Sequence, residues 1–193
     1  MDPFEIAGFV TGVIGVALMI RQHLWAWPVG LVQVAIYAWV FYRARLYPGA
    51  LLQVTFFVLL GYGWWSWWRG VRTGAATKAE LPVTRLDRTA RALALTGGVA
   101  LTLAIGAFMS QQTDAAVPYW DAFLFAFSLI AQALQTRKKI ETWALWVVVN
   151  AVAIGVYLSQ SLWLTAALYA VFLGLAGVGW RVWHRHEKGG ATP

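Results

Sequence analysis

Gly61-Tyr62-Gly63-Trp64-Trp65-Ser66-Trp67 returns later in the chain as Gly177-Val178-Gly179-Trp180-Arg181-Val182-Trp183, a shift of 116 residues (177 − 61). The same shift, without a gap, carries Trp27 onto Trp143, Phe9 onto Phe125, Arg21 onto Arg137, Leu46 onto Leu162 and Phe56 onto Phe172. The acids correspond as well, Glu5 to Asp121. About 18 of roughly 64 aligned pairs are identical, against roughly 5 expected from this composition by chance. One unit has been used twice. Each copy is mostly apolar, so the unit belongs in a membrane, and a duplicated membrane unit is how many transporters place a substrate site between their halves.

Composition agrees. The 193 residues are 60% hydrophobic and 12% charged, outside the range of an ordinary soluble domain. Thirteen Trp is a large excess. Some fall at the ends of apolar runs, where indole favours the membrane interface; others fall inside the runs and need another reason. The net charge of +7 invites a nucleic-acid partner, but the basic residues sit in short loops between apolar runs, as membrane topology requires, so no nucleic acid is expected. There is no Cys, which excludes disulfides and thiolate metal sites. The N-terminal Met1-Asp2-Pro3-Phe4-Glu5 lacks the basic region of a secretory signal, and the first apolar run is expected to be retained.

Seven apolar runs span about 4–20, 25–42, 47–68, 92–109, 116–134, 140–158 and 162–183. Each approaches the roughly 20 residues a helix needs to cross a bilayer, and a spanning segment must satisfy its own backbone hydrogen bonds. Pro28 and Pro48 fall in first turns, where a missing N–H is harmless. With seven crossings, one side receives the N-terminus and loops carrying only Arg43 and Arg45. The other receives Arg21, Arg69, Arg72, Lys78, Arg85, Arg88, Arg91, Arg137, Lys138, Lys139, Arg181, Arg185 and Lys188. The positive-inside rule makes the second side cytoplasmic, with the N-terminus outside and the C-terminus inside.

The expected fold is all-α and integral to the membrane: a first triple-helix repeat over 4–68, a cytoplasmic linker over 69–91, a connector helix over 92–109, a second triple-helix repeat over 116–183 and a cytoplasmic tail over 184–193. The repeat shift crosses the membrane four times, so both copies point the same way. This is a 3+1+3 arrangement of parallel repeats, SWEET-like in that sense.

Polar side chains inside spans are costly and therefore informative. Trp143, Trp146, Asn150 and Tyr157 follow at steps of three, four and seven, on one helical face. The Asn150 amide both donates and accepts, as a carboxamide or ribose requires; it equally serves as glue between helices. Asp121, Ser128 and Gln132 form a second stripe, at steps of seven and four. Asp121 either faces substrate or complements the dipole at its helix N-terminus, as Glu5 would in the first copy. Gln33 and Tyr37 are one turn apart, as are Thr165 and Tyr169, and Gln53 is the repeat mate of Tyr169. The candidate substrate-binding residues are thus Gln33, Tyr37, Gln53, Asp121, Ser128, Gln132, Trp143, Trp146, Asn150, Tyr157 and Tyr169. Aromatic faces attract flat organic cations when water is excluded. Gly8, Gly12 and Gly15 are expected to serve close helix packing.

Nothing in the sequence points to catalysis, a resident cofactor or a metal. His23, His184 and His186 stand in loops or the tail, and no phosphate-cradling Gly motif appears.

The run Leu46-Tyr47-Pro48-Gly49-Ala50-Leu51-Leu52-Gln53-Val54, with Tyr62-Gly63-Trp64-Trp65-Ser66-Trp67, resembles the PnuC family of vitamin transporters. So do Tyr119-Trp120-Asp121 and the stretch from Arg137-Lys138-Lys139 through Trp143, Trp146 and Asn150. The chain departs from the family at Gln33 and at Thr142, where relatives often carry Asn. The resemblance implies import of nicotinamide riboside by facilitated diffusion, with trapping by cytoplasmic phosphorylation, and often a homotrimer in the lipid of a bacterial inner membrane. It implies a pyridinium ring held between aromatics such as Trp146, with Asn150 and Gln53 as polar contacts. Thiamine or riboflavin are the alternatives within the family, and a membrane scaffold or sensor subunit is the alternative of another class.

Overall fold

A computed structural model describes residues 3–43, 47–72, 82–113, 115–160 and 163–189. These form seven helices: α1 (Pro3–Ile20), α2 (Ala26–Arg43), α3 (Tyr47–Arg72), α4 (Arg88–Gln112), α5 (Pro118–Thr136), α6 (Glu141–Ser159) and α7 (Trp163–Gly189). Each matches one apolar run. The main difference is length: α3 and α7 continue past their apolar runs into basic residues, and α4 begins four residues earlier. An established helix continues into water for a turn or more, because each added residue gains a hydrogen bond without a new nucleus. By length and composition Arg88–Gln112, Glu141–Ser159 and Ala166–Glu187 are long and apolar enough to cross a membrane; Ile6–Ile20 and Ala26–Trp39 are shorter apolar helices.

Local chemistry sets the ends. Asp87 caps α4 by accepting from the Ala90 N–H at 2.6 Å, and Pro118 opens α5. After α1, Gln22 takes a left-handed conformation (φ 54°), with bonds from Gln22 N to Met19 O and from His23 N to Leu18 O. After α5, Lys138 does the same (φ 48°), with bonds from Lys138 N to Gln135 O and from Lys139 N to Leu134 O. Both are Schellman stops, a position that normally prefers Gly because a side chain there costs about 1 kcal/mol. Gln22 and Lys138 are repeat mates (138 − 22 = 116).

The helices close into a ring. α1 packs on α2, α2 on α3, α3 on α5, α5 on α6, α6 on α7, and α7 back on α1. Among the described residues, the α2 and α6 backbones stand opposite each other across the ring without close approach, and α4 stands outside it, its backbone packed on α5, with Arg91 reaching Glu141 of α6. Gly98 and Gly106, two turns apart on α4, give α5 that contact: a Cβ on either would strike Phe127 or Tyr119.

Two of the intramembrane Trp residues find their reason in a socket used twice. Trp27 packs edge-on against Trp67 (centroids 5.2 Å apart), and Trp143 packs edge-on against Trp183 (5.3 Å). Trp27, Trp143 and Trp183 are fully buried, and Trp67 nearly so. Gly63 and Gly179 make room: a Cβ there would lie 2.1 Å from Trp27 and 2.5 Å from Trp143. In lipid, such large-into-small packing is what holds helices together. Across the halves, Trp67 Nε1 donates to the Thr136 carbonyl at 2.8 Å and Trp183 Nε1 to the Ile20 carbonyl at 3.2 Å. These contacts gather the C-terminal ends of α1, α3, α5 and α7 at one end of the ring, the end rich in Arg and Lys.

The described end of the linker, residues 82–87, is mostly exposed yet tied to its neighbours. Thr84 pairs with the α5–α6 turn through Thr84 N to Lys138 O and Ile140 N to Thr84 O. The Leu86 N–H and the Arg91 guanidinium both reach the Glu141 carboxylate, and Arg85 pairs with Glu187. Residues 82–91 therefore form a strap on the second half.

Candidate functional site

The polar stripes of α2, α5, α6 and α7 meet around the ring. Gln33 and Tyr37 of α2 lie against α1, and the fit requires glycine. A Cβ on Gly12 would come within 2.7 Å of Gln33 Nε2 and 3.2 Å of Phe172 on α7; one on Gly8 would come within 2.8 Å of the Tyr37 ring. At Gly15 a Cβ would meet only ordinary contacts, Val29 at 3.7 Å and Gly30 at 3.9 Å, so the close approach of α1 to α2 depends on Gly8 and Gly12. Phe172 meets Tyr169 edge-on, and the ring of Tyr169 lies tilted against that of Tyr157 with centroids 5.1 Å apart. Tyr37 lies close enough to Tyr169, and Asp121 to Tyr157, to interact electrostatically. Four helices, α2, α5, α6 and α7, thus bring an amide, three phenols and a carboxylate to one region. Asp121 is in the first turn of α5 and caps no N–H with its side chain.

Deeper toward the basic end, the indole N–H of Trp146 donates to Gln135 Oε1 at 2.7 Å, which fixes the ring plane. Asn150, one turn on, is buried, and none of the described hydrogen bonds involves its side chain. Ser128 and Gln132 are buried on α5. Gln132 Nε2 is a buried donor with no protein acceptor, a state that costs about 1–3 kcal/mol until an acceptor arrives.

The remaining candidates stand apart. Trp143, expected on the ligand face with Trp146, is 2% exposed, and its ring is filled in by Trp183 and the Gly179 gap. It is packing at the basic end, separated from the phenols, because a step of three puts it one turn nearer the helix start. Gln53 is half-buried on α3 and makes no described contact with the other candidates. The side chains of Glu5 and Thr165 lie outside the described residues.

Two residues escaped the sequence reading. Gln135 orients Trp146, and its position three residues after Gln132 was the available signal. Lys138 had been counted only as a loop charge. Its side chain is buried, its Nζ donates to Gln22 Oε1 at 2.8 Å and lies 4.3 Å from the Trp67 ring centroid.

Electrostatics at the basic end are set by the strap. The Arg85 guanidinium is held above its ordinary value by the hydrogen bond and charge of Glu187, while His184 lies 3.1 Å from the same carboxylate. No group of three or more metal-ligating side chains occurs among the described residues.

Comparison with known proteins places this architecture. A family model described as nicotinamide mononucleotide transporter matches residues 2–185. The chain is 26% identical over 203 residues to the nicotinamide riboside transporter PnuC of Escherichia coli (strain K12), covering 93% of this chain and 84% of that protein. It is 28% identical over 191 residues to the riboflavin/roseoflavin transporter RibM of Streptomyces davaonensis, covering 98% and 88%. Its fold is similar to the crystal structure of the vitamin B3 transporter PnuC, with a TM-score of 0.77 at 22% identity over 95% of this chain and 81% of that one.

Proposed function

The chain belongs to the nicotinamide mononucleotide transporter family, and from that membership we propose that it carries nicotinamide riboside across the bacterial inner membrane by facilitated diffusion. The observation that carries this reading is Gln132 Nε2, a buried donor lacking an acceptor, on a ring of helices that also presents Trp146 and Asn150. The carboxamide oxygen of nicotinamide supplies such an acceptor, and a pyridinium stacks on an indole fixed in orientation. The phenols of Tyr37, Tyr157 and Tyr169, with Ser128 and Gln33, offer hydrogen bonds to ribose, and Asp121 complements the positive ring. Gln53 on α3 is retained as a further polar contact on its repeat relation to Tyr169 alone. Trapping by phosphorylation on the far side supplies the driving force, so no coupling ion is required.

The 3+1+3 layout with parallel repeats is part of the proposal. Its support is the set of contacts that recur at a shift of 116: the two Trp pairs, their glycine gaps and the reciprocal indole bonds. The basic end is assigned to the cytoplasm by the segregation of Arg and Lys. The homotrimer is carried forward on one observation: the α4 backbone packs on a single helix, and α4 turns Leu93, Leu95, Val99, Leu103 and Phe108 outward.

Riboflavin is the second reading, favoured by the similarity to RibM over nearly the whole chain. Thermal-shift titration of the purified protein with nicotinamide riboside, riboflavin and thiamine decides between them, because a true ligand stabilises the folded state in proportion to saturation. Saturable uptake of the stabilising compound into liposomes without an ion gradient then establishes uniport. Stabilisation by none of the three defeats the carrier reading.

A further inference from the structure

Two residues of this chain with side chains take a left-handed conformation among those described, Gln22 and Lys138. They are 116 positions apart, and their side chains hydrogen-bond to each other at 2.8 Å. When a residue touches its own repeat mate, the pair lies on the axis relating the copies. A path between the halves follows that axis, and this pair crosses it at the basic end. The pair is buried, and the reciprocal bonds Trp67 to Thr136 and Trp183 to Ile20 flank it.

We propose that the Gln22–Lys138 pair is the cytoplasmic gate of the transport path, a bond that must break each time substrate leaves. The inference rests on the carrier reading for the path itself. Three features fit a closure made to open. Glycine suits both backbone positions better, yet each carries a side chain, and the two side chains bond to each other. The closure is incomplete: Gln22 Oε1 accepts, while Gln22 Nε2 is buried without a partner. And the pair is unequal, one amide and one ammonium. Lys138 holds its charge against the Trp67 face, so opening returns a poorly solvated cation to water, which offsets the loss of the bond.

The absence of Cys makes the test direct. Asn150→Cys places a single thiol in the candidate site. Its alkylation by a membrane-impermeant maleimide, applied from the basic side of reconstituted protein, reports how often that end opens. Lys138→Gly removes the side chain and suits the φ of 48°, so the α5 stop is preserved; Lys138→Met keeps the stem and serves if the glycine variant does not fold. The alkylation rate is expected to rise about fivefold or more in either variant, with the rate from the opposite side falling or unchanged. An unchanged rate from the basic side in a folded variant overturns the gate. The readout needs no substrate, so it separates the two ideas. If nicotinamide riboside fails to shift the melting temperature of protein that keeps Asn150 while alkylation rises in the Cys reporter, the substrate is wrong and the gate stands. If the shift is present and alkylation is unchanged, the gate is wrong and the carrier stands.

Discussion

The indole N–H of Trp67 donates across the two halves to the backbone carbonyl of Thr136 at 2.8 Å. Its repeat mate, Trp183, makes the equivalent bond to Ile20. A side chain near the end of one triple-helix unit thus satisfies the last carbonyls of a helix in the other. Helix C-termini leave such carbonyls without intrahelical donors, and in a membrane protein an indole is an economical way to supply one. Trp67→Phe keeps most of the volume and deletes the donor. It should lower unfolding free energy in detergent by about 1–3 kcal/mol. Trp183→Phe should fall in the same range, since the two sites are equivalent by repeat. A loss confined to one of them, in denaturant titration, would show that the equivalence is geometric without being energetic.

The glycine gaps give an internally controlled comparison. Gly63→Ala and Gly179→Ala push a methyl into Trp27 and Trp143, whose rings have no room to retreat. Each is expected to destabilise by about 1–3 kcal/mol. Gly61→Ala and Gly177→Ala, one half-turn away, meet nothing within 4 Å. They should be neutral or raise stability by up to about 1 kcal/mol through helix propensity. Melting temperatures of the four variants check this.

Trp146 and Gln135 should act as one unit. Gln135→Leu leaves the indole in place but releases its plane. Affinity for nicotinamide riboside is expected to fall about five- to tenfold, with Trp146→Ala losing more. In a double-mutant cycle the two changes should be clearly sub-additive. Additive losses in the titration would mean that Gln135 binds substrate itself.

Gln132→Leu removes the orphan donor without opening a large gap. The empty protein should become more stable, by about 1–3 kcal/mol, while the ligand-induced shift shrinks. This opposite movement of apo stability and ligand response is the signature of a polar group held ready for a ligand. A variant that is simply less stable would assign Gln132 to structure.

The strap over residues 82–91 should loosen without touching transport. In Glu141→Ala the Leu86 N–H and Arg91 lose their common acceptor, and trypsin cleavage within 69–91 is expected to accelerate about threefold or more. Uptake should be unchanged. Loss of uptake would tie the strap to the cycle.

The sequence and the structure agree most closely where the two copies agree. Gly63, Trp67, Gly179 and Trp183 announced themselves by repetition, and they are the frame. The candidate site is asymmetric: Trp146 and Asn150 have Gly30 and Val34 as mates, and Gln33 has Val149. Residues of that kind had to be found by helical spacing alone. Spacing found Tyr157 and Tyr169, which do meet. It also put Trp143 with Trp146, because a face read from spacing does not say where along the helix one neighbour gives way to the next. Gln22 and Lys138 were invisible for another reason. In the chain they are loop residues beside other polar and basic side chains, and only the Schellman turns aim them at each other.

The ring has an order of construction written into it. α1 rests on α2 and, on its other flank, on α7, the last helix of the described chain to leave the ribosome. Until then the nascent bundle is a curved wall with an unsealed seam. Tyr169 and Phe172 arrive with the closing piece, so the polar lining is completed at the moment the seam shuts. Among the described helices the first therefore waits for the last, and until α7 docks, the flank of α1 that it will cover stays open.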